Sequence, residues 1–248
     1  MTCAEDLYLD LMARTLTGMI QGDPNASWWH PPAFDPALRE VGGDWPRDAH
    51  TMIGMKRLQN IKMCAETVLG DNVPGDFMET GVWRGGAAIF MRAILRAHGV
   101  TDRIVWLADS FEGLPPPNPE GYPKDAGDPH HTIGFLAVSL DEVKTNFARY
   151  GLLDDQVRFL KGWFRDTLPT APPERLAVLR LDGDMYESTW DALVNLYDKL
   201  SPGGFLIVDD YGAIEACRHA VNDFRRLRNI GEEIHEIDWT GVYWRRAA

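Results

Sequence analysis

Two stretches limit what this chain can become. Leu176-Ala-Val-Leu-Arg-Leu-Asp-Gly-Asp184 and Phe205-Leu-Ile-Val-Asp-Asp-Tyr211 are apolar runs that end abruptly in acid. Such runs read as buried parallel strands, apolar on both faces. In open α/β sheets, ligands bind beyond the carboxyl ends of the strands. Asp182, Asp184, Asp209 and Asp210 therefore fall where a site would be built. The runs are one strand–helix–strand unit apart, so the strands are candidate neighbours. Four carboxylates in one crevice are costly unless a cation lies among them or some are protonated. Three carboxylates and water suit a hard divalent cation, Mg²⁺ more than zinc, because neither motif holds His or Cys. Asp184, two residues past Asp182, can stay off the metal and act as a base toward a hydroxyl. Helix capping is the plainer alternative for acids at strand ends.

The rest of the chain supports this layout. Residues 5–21 and 48–69 read as amphipathic helices, with Leu7, Leu11, Leu16 and Ile20 on one face of the first. Between them, residues 23–47 hold five prolines with Trp28, Trp29, Phe34 and Trp45, which predicts a packed lid or a dimer contact. Strands are expected at 77–82, 104–109 and 157–161, then at 176–182 and from Phe205. Helices are expected at 86–98, 140–150, 188–200 and 213–228. Residues 110–135 read as a long loop, Pro202-Gly-Gly204 as a turn, and 234–237 with 242–244 as a late hairpin. The alternation predicts a doubly wound, mainly parallel sheet with a C-terminal antiparallel hairpin.

Two further motifs point to a nucleoside. In Met78-Glu-Thr-Gly-Val-Trp-Arg-Gly-Gly86, Gly81 lets the chain turn after a strand. Gly85 and Gly86 permit close approach of a ligand to a helix N-terminus. The pattern is not G-x-G-x-x-G, which weakens a nicotinamide-dinucleotide reading; a ligand-free β–α turn is the alternative. Asp109 ends the next strand, where an acid can take both hydroxyls of a ribose or simply cap a helix. Trp163, after the third strand, could cover a purine or merely pack.

Charge narrows the partners. A formal net charge of -12 argues against binding nucleic acid or an anionic membrane. The N-terminus carries acid where a secretory signal needs base, and no stretch has the apolar length of a membrane span. Cys3, Cys64 and Cys217 are scattered, which suits a reducing cytoplasm and inert core thiols for the latter two.

The quoted motifs, with Ala108-Asp-Ser-Phe-Glu-Gly-Leu114, Arg149 to Leu160, Gly162-Trp-Phe164, Ala49 to Met55 and Gly241 to Arg246, resemble the macrocin-type sugar O-methyltransferases of antibiotic biosynthesis. The resemblance runs through nearly the whole chain, in order. It implies a Rossmann-like class I methyltransferase using S-adenosyl-L-methionine and Mg²⁺ on a glycosylated natural product. Residues 1–70 would be a helical lid and 71–248 the methyltransferase domain. It implies that Glu79, Thr80, Gly81, Val82, Trp83, Arg84 and Gly85 line the donor's methionine and ribose end. Asp109 and Ser110 would hold the ribose, Gly162 and Trp163 would flank the adenine, and Asp182 would adjoin the donor. Asp182, Asp209 and Asp210 match the metal ligands, and Asp184 the general base. Met52 and Tyr211 would border the acceptor. The family implies a homodimer or larger assembly. Gly121 to Thr132 departs from the macrocin-type loop, so the acceptor stays open, and His130 and His131 are either acceptor contacts or an exposed polar loop. From the acids alone, a metal-dependent glycosyltransferase using a nucleotide sugar, or a non-catalytic nucleoside-binding module, stays a rival.

Overall fold

The computed structural model describes residues 3–247. Helices α1 (Ala4–Leu16), α2 (Pro36–Glu40) and α3 (Gly54–Gly70) precede the first strand. Then come β1 (Asp76–Thr80), α4 (Gly86–Ala97), β2 (Val105–Asp109), α5 (Leu140–Arg149), β3 (Val157–Lys161) and α6 (Phe164–Thr167). The chain closes with β4 (Leu176–Leu181), α7 (Tyr186–Leu196), β5 (Leu200–Val208), α8 (Glu215–Leu227), β6 (His235–Glu236) and β7 (Val242–Arg245). The sheet order is β3-β2-β1-β4-β5-β7-β6. The first five strands are parallel, and β7 runs antiparallel to both β5 and β6. This is the predicted doubly wound sheet with a terminal hairpin. Strand order reverses between β1 and β4, and that switch point opens a crevice beyond the strand ends.

All six residues of β4 are buried, as expected of a strand covered on both faces. One core lies between the sheet and helices α1, α3 and α4, and includes Leu9, Leu16, Leu58, Ile61, Ile89 and Phe90. The other lies against α7 and α8 around Leu179, Leu193, Leu206, Phe224 and Trp244. Among the described residues no helix is long and apolar enough to cross a membrane. Cys64 and Cys217 are buried, whereas Cys3 is exposed.

Tertiary contacts move several predicted boundaries. The second long helix begins at Gly54 rather than near residue 48, because the amides of Asp48 and Ala49 bond the Asp23 carboxylate at 2.9 and 2.8 Å. Helix α7 starts at Tyr186, two residues early, because Asp125 accepts from the amides of Tyr186 (2.6 Å) and Glu187 (2.9 Å). That carboxylate supplies the missing cap. Strand β5 begins at Leu200, and Pro202 to Gly204 bulge out between the pairs Leu176–Leu200 and Val178–Phe205.

The tryptophan-rich segment is pinned rather than slack. Arg39 is fully buried and donates to both Asp44 oxygens at 2.8 Å and to the carbonyls of Thr17 and Asp23. Trp28, Trp29 and Trp45 meet edge to face, and Trp45 stacks on Phe135 at 5.3 Å. The segment thus lies against the 110–135 loop, across the crevice.

His50 sits where this segment meets the sheet. Its Nδ1 bonds Tyr150 Oη at 2.8 Å, and burial, with Arg149 and Arg84 nearby, brings its pKa down to about 4. A histidine kept neutral in the fold stabilises it fully above its ordinary pKa of 6.5, and that contribution is lost as pH falls toward 4. Between those limits the protein should lose about 1–2 kcal/mol more stability than a His50→Gln variant, read by urea denaturation. Parallel pH curves for the two proteins would exclude this.

Candidate active site

The strand ends build the site. Gly81 follows β1 with φ +84°, and a Cβ there would stand 1.6 Å from the Asp182 carbonyl oxygen. Only glycine lets the β1 and β4 turns touch. At Gly86 a Cβ would lie 2.3 Å from the His50 carbonyl oxygen, which already accepts from the Gly86 amide at 2.9 Å. The close approach expected there for a ligand is made by the chain's own His50–Thr51 segment.

Beyond the strand ends lies a cavity of about 390 Å³. Thirteen of the predicted residues line it: Glu79, Gly81, Val82, Trp83, Asp109, Ser110, Trp163, Asp182, Asp184, Asp209, Asp210, Met52 and His130. Thr80, Arg84, Gly85, Gly162, His131 and Tyr211 stand outside its wall. Thr80 is fully buried in the sheet, and Arg84 donates to the Ala49 carbonyl at 2.8 Å and lies over Trp83. Gly85 is the left-handed cap of α4, with φ +87°. The Gly162 amide bonds the Asp109 carbonyl at 2.9 Å. His131 is exposed, and Tyr211 Oη turns away to Asn222 at 3.0 Å.

Asp182, Asp209 and Asp210 each offer an oxygen within 4.8 Å of the others. Two arginines lie among them. Arg180, 1% exposed, donates to Glu79 (2.7 Å), Asp182 (2.8 Å) and Asp209. Arg57 reaches the other Asp209 oxygen and bonds Asp238 at 2.9 Å. Thr240 Oγ1 donates to the Asp209 carbonyl at 2.9 Å, so the terminal hairpin also braces this corner. Burial, then Asp209, raises the Asp182 carboxyl to about 6. Burial, then Asp184, drives Asp210 well above the usual carboxylate range. Unbalanced negative charge in a desolvated crevice has this effect. Burial likewise raises Glu79 to about 8.

Asp184 adopts φ +55°, and its amide reaches Asp210 Oδ2 at 3.2 Å. This left-handed step, tolerated by Asp, turns the side chain into the cavity beside the acid cluster. Burial first, then Asp182, lifts its carboxyl to about 7, which suits a base working near neutrality. His130 is held by Asp128, whose Oδ1 stands 2.9 Å from its Nδ1, and this pairing raises the imidazole pKa. Asp109 is tied to the protein itself: it accepts from the amides of Val82 (2.6 Å) and Phe111 (2.7 Å). It locks the β1 turn against the β2 turn, with the Ser110 hydroxyl also reaching Oδ1 at 3.4 Å.

Sequence reading missed the counter-charges. Arg180 carried a signal, because an arginine inside a strand apolar on both faces must meet acid. Arg57 carried none, lying among Leu58 and Ile61 in an ordinary helical pattern.

Comparison with known proteins bears on this arrangement. A profile described as Macrocin-O-methyltransferase (TylF) matches residues 5–246. The chain is 59% identical over 247 residues to the 8-demethyl-8-(2,3-dimethoxy-alpha-L-rhamnosyl)-tetracenomycin-C 4'-O-methyltransferase of Streptomyces olivaceus, covering 99% of this chain and 94% of that one. It is 56% identical over 248 residues to the mycinamicin III 3''-O-methyltransferase of Micromonospora griseorubida, covering 98% and 97%. The solved structure of the O-methyltransferase NovP superimposes with a TM-score of 0.95 at 55% identity, covering 98% of this chain and 100% of that one.

Proposed function

The chain belongs to the macrocin O-methyltransferase family, and from that premise we propose that it methylates one hydroxyl of a deoxysugar on a glycosylated natural product, with S-adenosyl-L-methionine as donor and Mg²⁺ as metal. That it is an O-methyltransferase follows from the family. The same membership sets aside the nucleotide-sugar transferase. The finer reading rests on one observation. Three carboxylates able to converge within 4.8 Å lie in the same cavity as Glu79, Gly81, Asp109 and Asp184.

The donor set fits a hard cation: all oxygen, with Asp209 buried, Asp182 partly open to the cavity, and no arginine on the Asp210 carboxyl among the described residues. Asp182, Asp209 and Asp210 would hold it. When bound, such an ion lowers the pKa of a sugar hydroxyl and fixes its direction. Arg57 and Arg180 each hold one oxygen of Asp209 and so fix its carboxylate beside Asp182 and Asp210. Asp184 takes the hydroxyl proton and holds it at a carboxylate oxygen. Glu79, Gly81, Val82 and Trp83 line the methionine end of the donor; Asp109 and Ser110 hold its ribose, and Trp163 its base. Thr80, Arg84, Gly85 and Gly162 support that wall from behind. The methyl comes from the donor's sulfonium, and the protein supplies orientation and charge. Met52 and His130 border the acceptor, under a lid formed by residues 1–70 over the methyltransferase domain of 71–248.

A cytoplasmic homodimer or larger assembly belongs to the same proposal. Leu7 and Leu11, one helical turn apart on α1 and 62% and 56% exposed, support it.

The test is mass spectrometry after incubation with S-adenosyl-L-methionine and a panel of deoxysugar glycosides. One added methylene on a glycoside, lost on treatment with EDTA and restored by Mg²⁺, is the expected result. Undiminished product in chelator removes the cation from the scheme.

A further inference from the structure

One end of the cavity carries more acid than its ligands have yet explained. Glu187, in the first turn of α7, is 5% exposed and lines the cavity. Its Oε1 faces Arg165 Nη1 at 3.3 Å. Its Oε2 is buried and has no hydrogen-bond partner among the described residues. Asp191 follows one helical turn later on the same face and lines the same cavity. Its carboxyl is pushed up to about 6 by burial and then by Glu187. Two like charges at this spacing repel, and a buried carboxylate oxygen without a donor is costly. The half-exposed Arg165 meets only one of the four oxygens. The fold nevertheless locks Glu187 in place, because Asp125 holds its amide at 2.9 Å.

The neighbouring walls are flat and apolar. Trp163 and Phe164 follow β3 and line the cavity. A Cβ on Gly183 would stand 3.0 Å from Ser188 Cβ and 3.4 Å from Phe164 Cε2, so the starts of α7 and α6 close around the Gly183 turn. A ligand suited to this corner is a flat ring whose edge presents N–H donors.

We propose that the Glu187 carboxylate, which lines the cavity and meets only Arg165 among the described residues, reads the exocyclic amine of the donor's adenine by accepting its N–H, while Trp163 and Phe164 cover the ring. The inference rests on S-adenosyl-L-methionine being the donor and names a residue that selects its base. Hypoxanthine carries a carbonyl where adenine carries the amine. Against Glu187 it would set acceptor against acceptor, and a site that leaves a buried polar group unpaired discriminates strongly.

Isothermal titration of the full chain with S-adenosylhomocysteine and S-inosylhomocysteine tests this without turnover. The wild-type protein should bind the inosine compound about 10–100-fold more weakly. Glu187→Gln offers an N–H to the carbonyl, so it should shrink that ratio about tenfold, weakening the adenosine compound and strengthening the inosine one. A merely structural role for Glu187 would weaken both compounds alike. Equal wild-type affinity for the two compounds, or an unchanged ratio in Glu187→Gln, overturns the inference. Should that variant not fold, the wild-type ratio alone decides. Failure of S-adenosylhomocysteine itself to bind would sink the donor reading and this inference with it; binding without discrimination would sink the inference alone.

Discussion

Asp184→Asn lowers the rate of methyl transfer by about 10²–10⁴-fold and leaves the affinity for S-adenosylhomocysteine within about twofold, if Asp184 is the base. Asparagine has the same shape but cannot take a proton. It also tolerates the left-handed backbone that Asp184 adopts at φ +55°, so the turn after β4 should survive the change. The amide bond to Asp210 at 3.2 Å comes from the backbone and is untouched. The loss should therefore appear in kcat, since removing a group that acts in the transition state leaves ground-state binding in place. Single-turnover rates with bound donor measure it directly. A rate equal to wild type would reject the assignment, and a parallel loss of donor affinity would mean that the residue organises the cavity instead.

The second large effect is on stability. Arg180→Met should cost about 3–5 kcal/mol, because it strips the counter-charge from buried carboxylates and leaves them in place. Burial works against the Arg180 charge, but Asp209, Asp182 and Glu79 outweigh it. Methionine fills the volume and answers none of them. Arg57 alone would then face Asp209, and Glu79 would keep no donor among its present partners. Arg180→Lys should recover only part of the loss, since an ammonium cannot span three carboxylates as a planar fork does. Urea denaturation gives the number. Added Mg²⁺ should raise the stability of Arg180→Met if Asp182, Asp209 and Asp210 hold the ion, because a ligand that binds only the folded state stabilises it. A cost below about 1 kcal/mol would mean that the acids are protonated in the fold and need no arginine.

Much of the layout was legible because it is written in local patterns. The largely apolar β4 and β5 segments read as central parallel strands, and five strands alternating with helices left one class of sheet. The acids at their ends fell at the switch point as the topology rule requires. What failed to show was any partner distant in sequence. Asp125 decides where α7 begins, from a loop that reads as featureless. Asp23 decides where α3 begins. His130 and His131 are adjacent and alike in sequence, yet one lines the cavity and the other is exposed, because the short helical turn at 130–132 points them apart.

Sequence alone thus determined the order of strands and helices, the position of the acid-tipped ends and the kind of chemistry they invite, because periodicity and glycine placement act over a few residues. Only the tertiary structure decided how that crevice is charged. Arg57 and Arg180 come from a helix and a strand more than a hundred residues apart, and the charge each carries has meaning only through the buried carboxylates it meets. Coulomb interactions in a desolvated site depend on distances in space, and the chain sets those distances only once it has folded.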